Sequence, residues 1–181
     1  MPAILMLFIT IGTNSPDALT TQPMATCIVA AKNSSEHARS AAQFVCDGEG
    51  DQEEINAAIR SLPPAGGMVY LMEGTYDIRK VQGTLGGIII DRSNVTLAGT
   101  GAATQLVLAP HQNTNVIRII GHDVGHITIR DLQMDANRAQ NAEGKGDPKI
   151  SHDRFQFCGI KAFCGLPGHP GDHPTHDITI Q

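Results

Sequence analysis

The chain has 181 residues, enough for one domain with a continuous apolar core and a poor fit to two ordinary ones. Thirteen basic residues against eighteen acidic ones leave a formal charge of -5, and the bases are scattered along the sequence, so nucleic acid is not an expected partner. Tryptophan is absent, with two tyrosines and five phenylalanines, which leaves few stacking platforms for a sugar or a base, although charged and polar side chains also bind acidic sugars.

The opening "MPAILMLFITIG" has the length of a signal h-region but lacks a basic flank and a clean small-residue cleavage site, and it is too short for a membrane span. Residues 1–24 read as an apolar leader or flexible segment, with no stable membrane insertion expected and an extracellular or cell-surface setting left open. "TCIVAA" reads as a strand, "NSSEHARSAAQF" as a short helix capped by Ser34 or Ser35, and "FVCDGEGD" as a short strand and turn. In "DQEEINAAIRSLPPAGG", Asp51 is expected to cap a helix. Glu53 and Glu54 lie near its positive end, Ile55, Ala58 and Ile59 form its apolar face, and Pro63 and Pro64 stop it. Residues 25–66 make up this α/β cap region.

From residue 67 to 181 the periodicity turns to short β-like runs: "MVYLMEG", "GIIID", "NVTLAG", "TQLVLAP", "NVIRIIG", "HITIRDLQMDA", "FQFCGIKAFC" and "HDITIQ". "NVTL" and "HITI" start 32 residues apart with two further runs between them, the spacing of a solenoid turn built from three strands. Ile127 and Ile129 are expected to point inward, Arg130 and Asp131 to accompany a bend, and Leu132 and Met134 to resume the inward pattern. Long loops are expected at about 136–154 and 165–177.

"DGEGDQEEINAAIRSLPPAGGMVYLMEGTYDI", "NVTLAGTG" and "HITIRDLQMDANRA" together resemble the pectate-lyase-like family of right-handed parallel β-helices over about residues 25–140. The resemblance implies an all-β right-handed parallel β-helix with a small α/β amino-terminal cap, in which Ile55, Ala58 and Ile59 cover the first turn while Val69 and Leu71 enter its wall. The chain stops in "HDITIQ" as another rung begins, without a terminal helix or polar cap, so the coil reads as incomplete at its carboxyl end. Truncation of a longer chain is the expectation, with self-association or a partner at the open rung as the alternative.

Family members include lyases, hydrolases and epimerases acting on polysaccharides as well as non-enzymatic virion or cell-surface proteins, so the fold alone does not select a reaction. Hydrolysis needs paired carboxyl groups, and Asp131, Asp135, Asp147 and Asp153 are candidates, although the paired-aspartate signature of polygalacturonase-like hydrolases is absent. Elimination needs a neutralised uronate carboxylate and a base, with Arg138 or Arg154 as carboxylate-binding groups and calcium expected only for a lyase. His152, beside Asp153 and Arg154, is an acid or base suited to neutral pH.

The expected catalytic set is therefore Asp131, Asp135, His152 and Asp153, with Arg138 and Arg154 binding substrate. No metal is assigned, because Cys158, Cys164, His169, His173 and His176 lack paired short-knuckle spacing. Cys27, Cys46, Cys158 and Cys164 read as free or buried thiols, and "GTLGGIII" and "AGTGAAT" as turns rather than phosphate loops. The expected function is polysaccharide binding, with or without lyase or hydrolase chemistry. The alternatives are a non-enzymatic surface, adhesion or virion component and an inactive fragment of a longer enzyme.

Overall fold

The computed structural model describes residues 25–141, 158–163 and 175–181. The chain is mostly strand. A first strand β1 (Ala25–Ala30) leads through helix α1 (Glu36–Ala41) and the short β2 (Phe44–Val45) into α2 (Gln52–Ser61). There follow β3 (Gly67–Leu71), β4 (Gly74–Ile78), β5 (Gly86–Ile90), β6 (Val95–Ala98), β7 (Thr104–Leu108), β8 (Asn115–Ile120), β9 (Gly125–Arg130), β10 (Gln133–Asp135), β11 (Ile160–Phe163) and β12 (His176–Ile180).

All the ladders are parallel. One sheet has the order β12-β9-β6-β3-β1-β2, a second β10-β7-β4 and a third β11-β8-β5, so from β3 onward each strand pairs with the strand three places later. Among the described residues no sheet is closed on itself. The 32-residue spacing read between "NVTL" and "HITI" is the register of the first sheet, where Thr96 faces Thr128.

Stacking in register places like side chains on one another. In the first sheet Cys27, Val69, Leu97, Ile129 and Ile180 form one column. Tyr76, Leu106 and Met134 form a column in the second sheet, and Ile88, Ile117 and Ile160 one in the third. Val69, Leu97, Leu106, Ile88 and Ile117 are fully buried, each worth about 1.5–3 kcal/mol in apolar transfer. Ile127 and Ile129 point inward as expected, while Leu132 and Met134 are partly buried against the same core. In the first sheet the column reaches β12, where Ile180 is 59% exposed.

Helix α2 buries Ile55, Ala58 and Ile59 against this core. Its polar side chains finish the amino-terminal edges of the sheets, where strand amides would otherwise lack partners. Asp51 occupies the N-cap position, yet its carboxylate makes no cap bond. It accepts instead from Asp77 N at the β4 edge and from Gly48 N, both at 2.8 Å. Gln52 Oε1 accepts from Arg79 N at 2.7 Å, and Asn56 takes both Ile89 N and Gly87 O of β5, at 2.8 and 2.9 Å. Burial holds the Asp51 carboxyl above its ordinary range against the lowering effect of the Asp77 and Gly48 amides. At the other end of α2, Arg92 donates to Leu62 O and Pro63 O, satisfying terminal carbonyls. Ser35, one of the two expected caps of α1, accepts from Ala38 N at 3.2 Å.

Strand β4 is missing from the sequence-based inventory. Its Tyr76 is fully buried and donates its hydroxyl to Met72 O at 2.9 Å and Val29 O at 3.1 Å, tying two turns together. Strand β12 begins at His176, inside the second expected loop. Cys27 and Cys46 are buried free thiols, and Cys164 lies outside the described residues. Among the described residues no helix is long and apolar enough to cross a membrane.

Candidate functional site

Asp131, Asp135 and Arg138 are all exposed on the side of the molecule that carries β9 and β10. Asp131 sits at the bend between those strands with φ 55, its carboxylate against the Arg130 guanidinium, and its carbonyl accepts from Gly101 N at 2.7 Å. Asp135 ends β10 and accepts from Asn137 N at 2.7 Å, a local turn bond. Among the described residues no hydrogen bond or ion pair joins Asp131, Asp135 and Arg138 to one another. His152, Asp153, Arg154 and Asp147 lie outside the described residues.

The chain on either side of that segment is anchored by an amide ladder at the corner between the second and third sheets. Asn141 Oδ1 accepts from Gln112 N at 2.8 Å and Asn113 N at 3.1 Å, and Gln112 Oε1 in turn accepts from Lys80 N at 2.9 Å. On the return side, Cys158 N donates to Asn115 Oδ1 at 3.1 Å, and Asn115 Nδ2 donates to Leu85 O at 2.6 Å. Both anchors therefore lead back, turn by turn, to Lys80 and Leu85.

Lys80 and Leu85 line a groove of about 580 Å³ on the outward face of the third sheet. Alternation along β5 and β8 turns Ile89 and Arg118 to this face, and they are direct register partners. Ile89 and Ile120 give the groove an apolar floor, Gln82 and Thr84 supply neutral polar groups, and Lys80 and Arg118 supply positive charge. Lys161 of β11 is the register partner of Arg118 on the other side, so the cationic row continues across the sheet. A Cβ on Gly86 would come within 2.6 Å of the Arg118 Cβ, so that glycine leaves room for the arginine stem. Desolvation lowers the Arg118 pKa, but an arginine starts so high that it keeps its charge.

Sequence reasoning missed this groove. Its cations come one per turn, from positions 80, 118 and 161, and only the register gathers Arg118 and Lys161.

Among the described residues, two clusters offer metal-ligating atoms. Cys46, Asp51 and Glu54 are one, but both Asp51 oxygens are taken by backbone amides, and burial pushes the Cys46 thiol pKa up, away from thiolate. The other is His126, His176 and Asp177 on the solvent face of β9 and β12. His126 also borders a shallow groove of about 390 Å³ with Gly67, Asn94 and Thr96. The left-handed positions Asn94, His126 and Asp177, with φ 62, 56 and 49, recur at the entry to successive strands.

No protein-family model, curated protein or solved structure matches this chain.

Proposed function

We propose that the three sheets wind as a right-handed parallel β-helix of the pectate-lyase-like type, closed at its amino-terminal end by α2, and that the protein binds an acidic polysaccharide across the outward face of the third sheet. The three-place pairing of successive strands supports the coil, and parallel crossovers are right-handed in nearly all proteins.

The observation that carries the binding reading is the groove in which Lys80 and Arg118 stand over an Ile89 and Ile120 floor, with Lys161 in register beside Arg118. Its volume of about 580 Å³ lies within the range of small-molecule sites, about 300–1,000 Å³. Apolar sugar faces suit the isoleucine floor, and uronate carboxylates suit ammonium and guanidinium donors. A polymer spanning several turns would meet one cation per turn, so affinity would accumulate along its length.

Binding without cleavage is a second reading, favoured by the structural roles of two expected acids. Asp131 is held against Arg130 at a bend, and Asp135 is engaged by the Asn137 amide. Cleavage, if it occurs, would draw on His152, Asp153 and Arg154 together with those acids, and calcium would belong to an elimination route. Mass analysis of products after incubation with acidic and neutral polysaccharides, with and without calcium, separates the cases. Unsaturated uronate ends identify elimination, saturated fragments carrying solvent oxygen identify hydrolysis, and intact polymer retained by the protein identifies binding alone.

A further inference from the structure

We propose that His126, His176 and Asp177 form a binding site for a divalent transition-metal ion of the zinc class, with three protein ligands and an open coordination position. The argument starts from the register. Aligning the "ITI" of β9 with that of β12 sets Ile127 against Ile178 and Ile129 against Ile180, which places His176 opposite Gly125 and brings Asp177 beside His126.

The ligand atoms converge. Asp177 Oδ2 lies 3.0 Å from His176 Nδ1 and 3.4 Å from His126 Nδ1, and all three ligating atoms fall within 4.8 Å of one another. Metal–ligand bonds of about 2.0–2.1 Å at tetrahedral angles would set ligand atoms about 3.3–3.4 Å apart, so the two carboxylate–imidazole distances already suit an ion and side-chain rotation need only bring the imidazole nitrogens into that range. The two imidazoles meet edge-on, with an interplanar angle of 88° and centroids 5.4 Å apart, which lets both Nδ1 atoms face one carboxylate oxygen without the rings colliding.

Two features beyond the ligands point the same way. Asp123 Oδ1 lies 3.3 Å from His176 Nε2, on the side away from Asp177. A carboxylate accepting the Nε2 proton fixes the tautomer whose Nδ1 lone pair faces the centre, the usual outer partner of a metal-bound histidine. Gly125 supplies the space. A Cβ there would lie 2.3–2.6 Å from the His176 ring atoms, so only glycine lets the imidazole settle over the β9 backbone.

Imidazole nitrogen and carboxylate oxygen are borderline to hard donors, which suits Zn²⁺, Co²⁺ or Ni²⁺ better than Ca²⁺ with its preference for six to eight oxygens. The side chains are well exposed, at 63% for His126 and 61% for Asp177, so the expected affinity is modest.

The test is a titration of the full chain with Co²⁺ and Zn²⁺, read by cobalt visible absorption and by calorimetry. One ion per chain with tetrahedral or five-coordinate cobalt bands is expected, and Zn²⁺ displaces the cobalt. His126→Ala and His176→Ala should each abolish the cobalt bands while leaving the far-ultraviolet circular dichroism unchanged. Asp123→Asn should weaken binding about 10- to 100-fold. Gly125→Ala, which keeps every ligand, should weaken it by displacing the His176 ring. His37→Ala, an exposed histidine on α1, should change nothing. Undiminished binding in the His126→Ala, His176→Ala double variant, or octahedral cobalt spectra of variable stoichiometry, would overturn the assignment.

Discussion

Asn141 offers the sharpest quantitative check on how successive turns are held together. Its side chain is 5% exposed, its Oδ1 accepts from the Gln112 and Asn113 amides, and its Nδ2 faces the carbonyls of Ala109, Asn137 and Ala136 at 3.0, 3.2 and 3.4 Å. Asn141→Ala would strand two backbone amides in a poorly hydrated corner. At about 1–3 kcal/mol for each buried donor left without a partner, the expected loss is about 2–6 kcal/mol. For a domain of this size each kcal/mol lowers the melting temperature by about 2–4 °C, so a central loss of about 4 kcal/mol corresponds to about 8–16 °C. Asn141→Asp keeps the acceptor but turns a carboxylate oxygen toward three carbonyls. It should be at least as damaging as alanine at neutral pH and should recover as the pH falls and the new acid protonates. Thermal unfolding by circular dichroism measures both, and amide exchange at Gln112 and Asn113 localises the effect. An Asn141→Asp protein as stable as the parent at pH 7 would refute the bonding pattern.

Three further outcomes follow from the geometry. Leu97→Ala, in the fully buried column between Val69 and Ile129, should cost about 2–5 kcal/mol in denaturant unfolding. Gly66→Ala should prevent folding, because the residue has φ 93 and its Cβ would lie 2.1 Å from Asn94 O; Gly83→Ala, with φ 77 but open space around it, should cost only about 1–2 kcal/mol, as comparative unfolding would reveal. The Ser35 amide, 2.9 Å from Glu73 Oε1, holds the Glu73 carboxyl below its usual range. A lowered carboxylate pKa stabilises the fold above the unfolded value of about 4.3, and that contribution disappears as pH falls through the folded value. The protection factors of α1 amides, taken relative to intrinsic exchange at each pH, should therefore fall at acid pH in the parent and change less in Glu73→Gln, with identical profiles counting against the contact.

The sequence was most legible where neighbouring positions do the same thing in each turn. Alternation at Ile127 and Ile129, the helical face of Ile55, Ala58 and Ile59, and the spacing of "NVTL" and "HITI" all express one rule, that inward positions stack. Strand β4 escaped because it follows β3 after only Met72 and Glu73, so "GTYDI" reads as the tail of the preceding run. Asp51 was read as a local cap because helix starts favour aspartate, whereas its partners, at Gly48 and Asp77, include one 26 residues away.

The candidate sites were less legible for the same reason. Arg118 and Lys161 look like scattered charge until the register pairs them, and Lys80 joins them only through the groove it lines with Arg118. His126 and His176 lie far apart in sequence, although one signal for them was present: both precede an "ITI" run, in "HITI" and "HDITI", and superposing those runs brings the two histidines together.

The most direct test of the central claim is a calorimetric titration with a uronate oligosaccharide and a neutral oligosaccharide of equal length, comparing the parent with the Lys80→Gln, Lys161→Gln double variant. A charge-assisted hydrogen bond is worth about 1.5–3 kcal/mol and a factor of ten about 1.4 kcal/mol, so each lost contact should weaken acidic-ligand binding about tenfold or more. The account predicts salt-sensitive binding of the uronate oligomer, little binding of the neutral one, and a loss of about a hundredfold in the double variant. Equal affinity for the two oligomers, or uronate binding untouched by the double substitution, would contradict it.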